Sequence, residues 1–256
     1  MASENNTGAK RAPEPEMSAA ASPGRSNHPE DLRAVVGDSA LSEDFALALL
    51  KRPDLPADVL EALGKNGAAL KHRKVKLALV EHPKTPRHVS LPLVGQLYTF
   101  DLMQVALTPL VPADIKMAAD EALCNRLETL SSGERLSLAH RGSGRIAGAL
   151  LLNAERRVVH AALENSRLTE AGIVQALMRH DASAAMVEAV SHHARWSLRR
   201  EIRVALLRNE KTPMARAVEF ARSLPAAQVR EILQGSRLPA NVKNLVWKEL
   251  QGRERK

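Results

Sequence analysis

From Asp31 onward the chain is a succession of short apolar runs whose hydrophobic residues recur three and four apart, the spacing of one helix face. No segment sustains the strict alternation that a half-buried strand would need. Pro, Gly, Asn or Ser interrupts the runs every 8 to 15 residues, so the predicted helices are short.

The interruptions share a pattern. Aligned on the break residue, seven segments emerge: "ALLKRPDLPADV" (48–59), "ALVEHPKTPRHV" (78–89), "QVALTPLVPADI" (104–115), "AALENSRLTEAG" (161–172), "ALMRHDASAAMV" (176–187), "ALLRNEKTPMAR" (205–216) and "EILQGSRLPANV" (231–242). The second and third letters are always apolar, the ninth is Pro in five of the seven, and the twelfth is Val or Ile in five. Each column has a physical task. The apolar pair, joined by Val75, Val158, Ile173 or Ile202 one turn earlier, makes the buried stripe of a helix. The fifth letter, among them His82, Asn165, Asn209 and Gly235, is expected to close that helix in the left-handed conformation. Thr85-Pro86 and Thr212-Pro213 are expected to supply an N-cap hydroxyl and a proline at the first position of the next helix.

Anchor prolines at 56, 86 and 112 lie 30 and 26 apart, and those at 213 and 239 lie 26 apart. Periods of that size built from helix pairs signal stacked repeats, each burying its apolar face against its neighbours. Between Pro112 and Thr169 the pattern fades, although "SSGE" (131–134) is a capping box and "RRVVHAALEN" (156–165) restores the stripe. The expected fold is therefore all-α. It is a right-handed, α-solenoid-like superhelical stack of roughly thirteen to fifteen short antiparallel helices. The stack is expected to occupy residues 31–256, behind a disordered tail at 1–30 that is rich in Pro, Ser, Ala, Asn and Gly.

The pattern L-x-x-N/H-P-x-T-P-x-x-V, clearest in Leu79–Val89 and Leu206–Pro213, resembles HEAT-like and variant leucine-rich repeat proteins over most of residues 41 to 250. That resemblance implies a scaffold or binding surface and transfers no catalytic residue. This chain departs from the variant leucine-rich family in its longer, uneven spacing. It also lacks the cysteine cluster that in some members holds an iron–sulfur centre, so no cofactor is expected.

Composition narrows the picture. Only six residues are aromatic, Phe45, Tyr98, Phe100, Trp196, Phe220 and Trp247, so the core must come from Leu, Ala, Val and Ile, which favours helix-on-helix packing. A single cysteine, Cys124, excludes an internal disulfide framework and any cysteine-only metal site. No stretch of about 18 apolar residues is present. With no apolar core of the signal-peptide kind, the expected protein is soluble and cytoplasmic. Charge is lopsided: residues 134–256 hold twenty-two Lys and Arg against twelve Asp and Glu, a net +10 within a total of +8, and eighteen of those cations are arginine.

Among candidate sites, the nine histidines offer only Glu188 and His192 at helical spacing, well short of the three or four convergent ligands a zinc site needs. His82 and His88 around Lys84-Thr85-Pro86 read as punctuation of the repeat. Cys124 reads as a small core residue, and "RGSGR" (141–145) as a loop between helices, lacking the strand and Lys-Ser/Thr of a phosphate-binding loop. The segment Ser191–Asn209 carries more content. A helix starting near Trp196 would bury Leu198, Ile202, Ala205 and Leu206 and turn Arg199, Arg200 and Arg203 outward, with Arg195 and Trp196 at its start. Such a cluster can grip phosphates and stack a base, or be a solvated face whose Trp plugs a gap between repeats, which is the favoured reading. Arg156 and Arg157 occupy a comparable position earlier in the chain, and together these residues could form a basic band.

The expected function is a non-catalytic scaffold that binds another macromolecule, with protein as the first partner class. The alternative is a nucleic-acid-binding module using the Arg-rich C-terminal half, and a repair enzyme on a HEAT-like stack is a third and weaker reading.

Overall fold

The computed structural model describes residues 29–38 and 40–254, and the expected tail lies almost wholly outside them. Sixteen α-helices, a single 3-10 turn at Ala69–Lys71 and no strand are found among the described residues, so the fold is all-α. The first half holds α1 (Pro29–Gly37), α2 (Glu43–Leu50), α3 (Ala57–Lys65), α4 (Arg73–Glu81), α5 (Arg87–Val94), α6 (Thr99–Leu107) and α7 (Ala113–Arg126). Next come α8 (Ser132–Arg141), α9 (Gly144–Leu150), α10 (Arg156–Leu163), α11 (Glu170–Met178) and α12 (Ala184–His192). The chain closes with α13 (Arg200–Arg208), α14 (Met214–Arg222), α15 (Ala226–Gln234) and α16 (Ala240–Glu254). The count is one above the expected range, and the faded middle holds α8 and α9, which lie outside the seven aligned segments.

Most helices are only eight to ten residues long, too short to persist alone in water, so their stability comes from tertiary burial. That burial follows the predicted stripes. Val75, Val158, Ile173 and Ile202 are fully buried, as are both members of the apolar pairs Leu49-Leu50, Leu79-Val80, Leu206-Leu207 and Ile232-Leu233. Two pair members depart from this: Met178 is exposed and Ala106 is half-buried. The predicted capping box is present: Ser131 and Glu134 satisfy each other's backbone N–H groups at the start of α8.

Helices pack chiefly on the helix next or next but one in the chain. From α5 to α15 each odd-numbered helix packs on the following odd-numbered one. The even-numbered helices pack as α2 on α4 on α6, α8 on α10 on α12, and α14 on α16. This second row is interrupted twice, between α6 and α8, where the sequence pattern fades, and again between α12 and α14.

The turns differ from expectation. His82 and Asn209 leave their helices in extended conformation, with φ of −71° and −89° and ψ of 125° and 131°, and Gly235 has φ −95° and ψ 6°, so none of the three is left-handed. An extended exit lets the side chain do two jobs. Asn209 Oδ1 accepts from Lys211 N at 2.8 Å while Nδ2 donates to Leu177 O at 2.7 Å, 32 residues back. Asn165 accepts from Arg167 N at 2.8 Å and donates to Ala139 O at 2.7 Å and Gly142 O at 3.2 Å. Asn66 reaches Val36 O and Asp38 O in the same way, and His82 Nε2 meets Arg52 O at 2.9 Å while its Nδ1 accepts from Lys84 N at 3.3 Å. One buried polar side chain thus closes its own turn and fastens it to the turn one repeat earlier, leaving neither backbone unpaired.

The threonines also depart from the predicted role. Thr85 Oγ and Thr212 Oγ donate backward to Leu79 O and Leu206 O, each at 2.6 Å, and the N-cap position belongs to Pro86 and Pro213. A proline there loses nothing, since the N–H it lacks would have no helical partner.

Candidate functional site

The seven arginine and tryptophan positions singled out by the sequence do not form one surface. Trp196 is buried at 2% exposure and its indole Nε1 donates to Leu163 O at 2.8 Å. It fills the space between repeats, as the favoured reading had it, and presents no face to a ligand. Residues 194–198 form a turn, and the helix starts only at Arg200, so Leu198 is 68% exposed where a core position was expected. Arg203 does not point outward: it is half-buried, donates to Ser197 O at 2.7 Å and lies over the Phe220 ring. Arg200 donates to Gln228 Oε1 at 3.0 Å, 28 residues on, the same reach by which Arg73 forks onto buried Asp101 at 2.8 and 2.7 Å.

The Arg195 guanidinium carbon lies over the Trp196 ring, 4.2 Å from its centroid, and Arg199 stands exposed at the N-cap of α13. Arg156 faces Glu188 across 3.6 Å. Arg157 bonds Glu155 at 3.0 Å and also Ser132. Hydrogen bonds from Ser132 and from Arg157 hold the Glu155 carboxyl below the usual carboxylate range. Most of these cations are therefore ties within or between repeats. Among the seven, only Arg199 lacks a partner among the described residues.

The histidines and the cysteine are likewise internal. His88 lies 3.6 Å from Glu61, His193 lies 3.1 Å from Glu164, and His192 Nδ1 lies against Glu188 O and Ser191 Oγ. No three His, Cys, Asp or Glu side chains converge as metal ligands among the described residues. Cys124 is half-buried at the edge of the core, and burial pushes its thiol up, away from the thiolate a nucleophile needs.

Two concave surfaces emerge that the sequence reading did not select. The first lies where the even row is interrupted between α6 and α8. On α6, Leu102 and Val105 are fully buried, while Phe100, Met103, Gln104 and Leu107, spaced as a second helical stripe, line an open groove of about 550 Å³ with Pro109 and Arg141. Phe100 is exposed, Met103 and Leu107 are half-buried, and Leu110 just beyond is 73% exposed. Because α8 does not pack closely on α6, an apolar face of α6 is left partly open to solvent.

The second groove, of about 750 Å³, lies between α9 and α11 with Cys124 of α7 at its side. Its lining combines Gly144, Gly148 and Gly172 with three arginines, Arg145, Arg167 and Arg179. Gly144 allows the close approach, since a Cβ there would collide with Arg167 O, whereas one on Gly148 would make ordinary contact, 3.9 Å from the Gly172 Cα. "RGSGR" is thus a two-residue connection, Gly142-Ser143, followed by the first residues of α9, capped by the Ser143 hydroxyl.

No protein-family model matches this chain, and no curated protein or solved structure matches it at a significant level. No helix among the described residues is long and apolar enough to cross a membrane.

Proposed function

We propose that the chain is a non-catalytic scaffold of stacked helical repeats, wound as a right-handed superhelix, that binds a partner protein through the groove between α6 and the end of α8. The exposed second stripe of α6 carries this reading. A helix whose two opposite faces are both apolar calls for cover on both, and here one face is only partly covered. The spacing of Phe100, Met103 and Leu107 suits an apolar helical segment laid into the groove. Arg141, exposed at its rim and bonded to Ser137 Oγ, favours a carboxylate beside that segment. The chain's own N-terminal residues 1–28 suit the groove poorly, since Met1 and Met17 are their only large apolar side chains.

Selection of displayed peptides on the full chain tests this. The expected winners carry apolar residues three and four apart next to an acidic residue, and they bind at least tenfold more weakly to Phe100→Asp and Met103→Asp. Winners indifferent to both substitutions would overturn the proposal. So would sedimentation showing a dimer that Met103→Asp dissociates, because the occupant would then be a second copy.

A further inference from the structure

From the α9–α11 groove we infer a second, independent binding site, one that takes the phosphate backbone of a double-stranded nucleic acid without reading its sequence. Arg145 and Arg167 are both exposed at the groove, and neither forms an ion pair among the described residues. The Arg167 side chain donates to Arg141 O at 3.4 Å, and Arg145 faces the half-buried Cys124 and Asp120. Of the acids near the groove, which include Glu121 beside Cys124, two are engaged. Asp181 is held by the fork of Arg179 at 2.9 and 2.7 Å, and Asp120 accepts from Ser143 Oγ at 2.7 Å. Arg145 and Arg167 thus stand outside any carboxylate fork, and with Arg179 they place three cations in the groove lining.

Its shape selects among anions. Besides Gly and Ala its lining holds Cys124, Leu152, Thr169 and Gln175 but no aromatic residue, so it offers no platform for stacking unpaired bases. Planar guanidinium forks match phosphate oxygens two at a time. The cations also continue past both ends of the groove. Arg141 lies beside Arg167 at one end. At the other, Arg237 reaches back 59 residues to Met178 O, next to Arg179, and its backbone N–H bonds Arg208 O at 3.1 Å. A line of arginines longer than the groove fits an extended polyanion better than a single small phosphate.

The test is fluorescence anisotropy of the full chain with a labelled 30-base-pair duplex across a salt series. The expected result is binding whose strength is the same for unrelated sequences, with Arg145→Ala/Arg167→Ala lowering the slope of log K against log salt by about two. Arg145→Glu/Arg167→Glu should weaken binding at least tenfold. The charge-matched Arg156→Glu/Arg199→Glu should weaken it less than threefold, with far-ultraviolet circular dichroism unchanged in both. Should the Glu pair unfold, the alanine pair's salt slope decides alone. Absence of binding at low salt, an equal loss in the charge-matched pair, or an unchanged slope would overturn the inference. Tighter binding to a single strand, or equal competition by polyphosphate or polyglutamate, would also overturn it. Retained peptide binding in these variants keeps the α6 groove a separate question.

Discussion

Replacing Asn165 with leucine, nearly equal in size, probes the backward reach of the turn side chains without opening a cavity. Asn165 is 1% exposed and serves three backbone groups: it donates to Ala139 O and Gly142 O and accepts from Arg167 N. The Arg167 N–H lies in an exposed turn where water can replace the lost acceptor. The two carbonyls lie in buried residues and have no such recourse. Each costs about 1–3 kcal/mol when stripped of its donor, so the expected loss is about 3 kcal/mol. For a chain of this size that corresponds to a fall in Tm of about 6–12 °C. The chain itself supplies a control, since His82 does the same work where other copies use Asn; His82→Asn should stay within about 1 kcal/mol. Asn153→Ala removes only a local acceptor for Glu155 N and should also stay within about 1 kcal/mol. Urea denaturation followed by circular dichroism reads all three. A loss below about 1 kcal/mol for Asn165→Leu would mean that the link between repeats contributes little and the reasoning fails.

Other expectations follow from single sites. With Trp247 replaced by Phe, Trp196 should emit at short wavelength and resist acrylamide quenching, and Trp196→Ala should destabilise by about 3–5 kcal/mol; long-wavelength, readily quenched emission would contradict its burial. A hydrogen bond from Arg179 brings the Asp181 pKa down to about 2 from its ordinary 3.8. The folded value is the lower one, so its contribution is present above pH about 4 and fades as pH falls toward 2. An NMR titration should show that midpoint, and Arg179→Ala should return it to near the ordinary value. Gly144→Ala should destabilise by about 1–3 kcal/mol through the collision with Arg167 O. Gly133→Ala, with open space beside it in the first turn of α8, should be neutral or stabilising by up to about 1 kcal/mol in a thermal melt.

How far the sequence is readable depends on the range of the interaction. The helical stripes were legible because burial repeats every three or four residues, and Val75, Val158, Ile173 and Ile202 all lie in the core. That Asn and His mark the turns was legible too. Their conformation was not, because both residue types tolerate either backbone region, and the choice is made by a carbonyl some 30 residues back. The Arg-rich segment misled for a related reason. Counting cations says nothing of the carbonyls and rings that Arg203 and Arg195 find in the folded chain. Two signals could have been found. "TFDLMQVAL" carries two apolar stripes on one helix, and the glycines at 144 and 148, four apart, fall on one helix face and leave it without side chains at those positions.

Hydrogen–deuterium exchange of the full chain with a selected peptide tests the proposed binding surface most directly. The account predicts added protection confined to α6, the turn through Leu110 and the last turn of α8. Protection at the starts of α10 and α13 instead, where Arg156 and Arg200 lie, or none on α6, would contradict it.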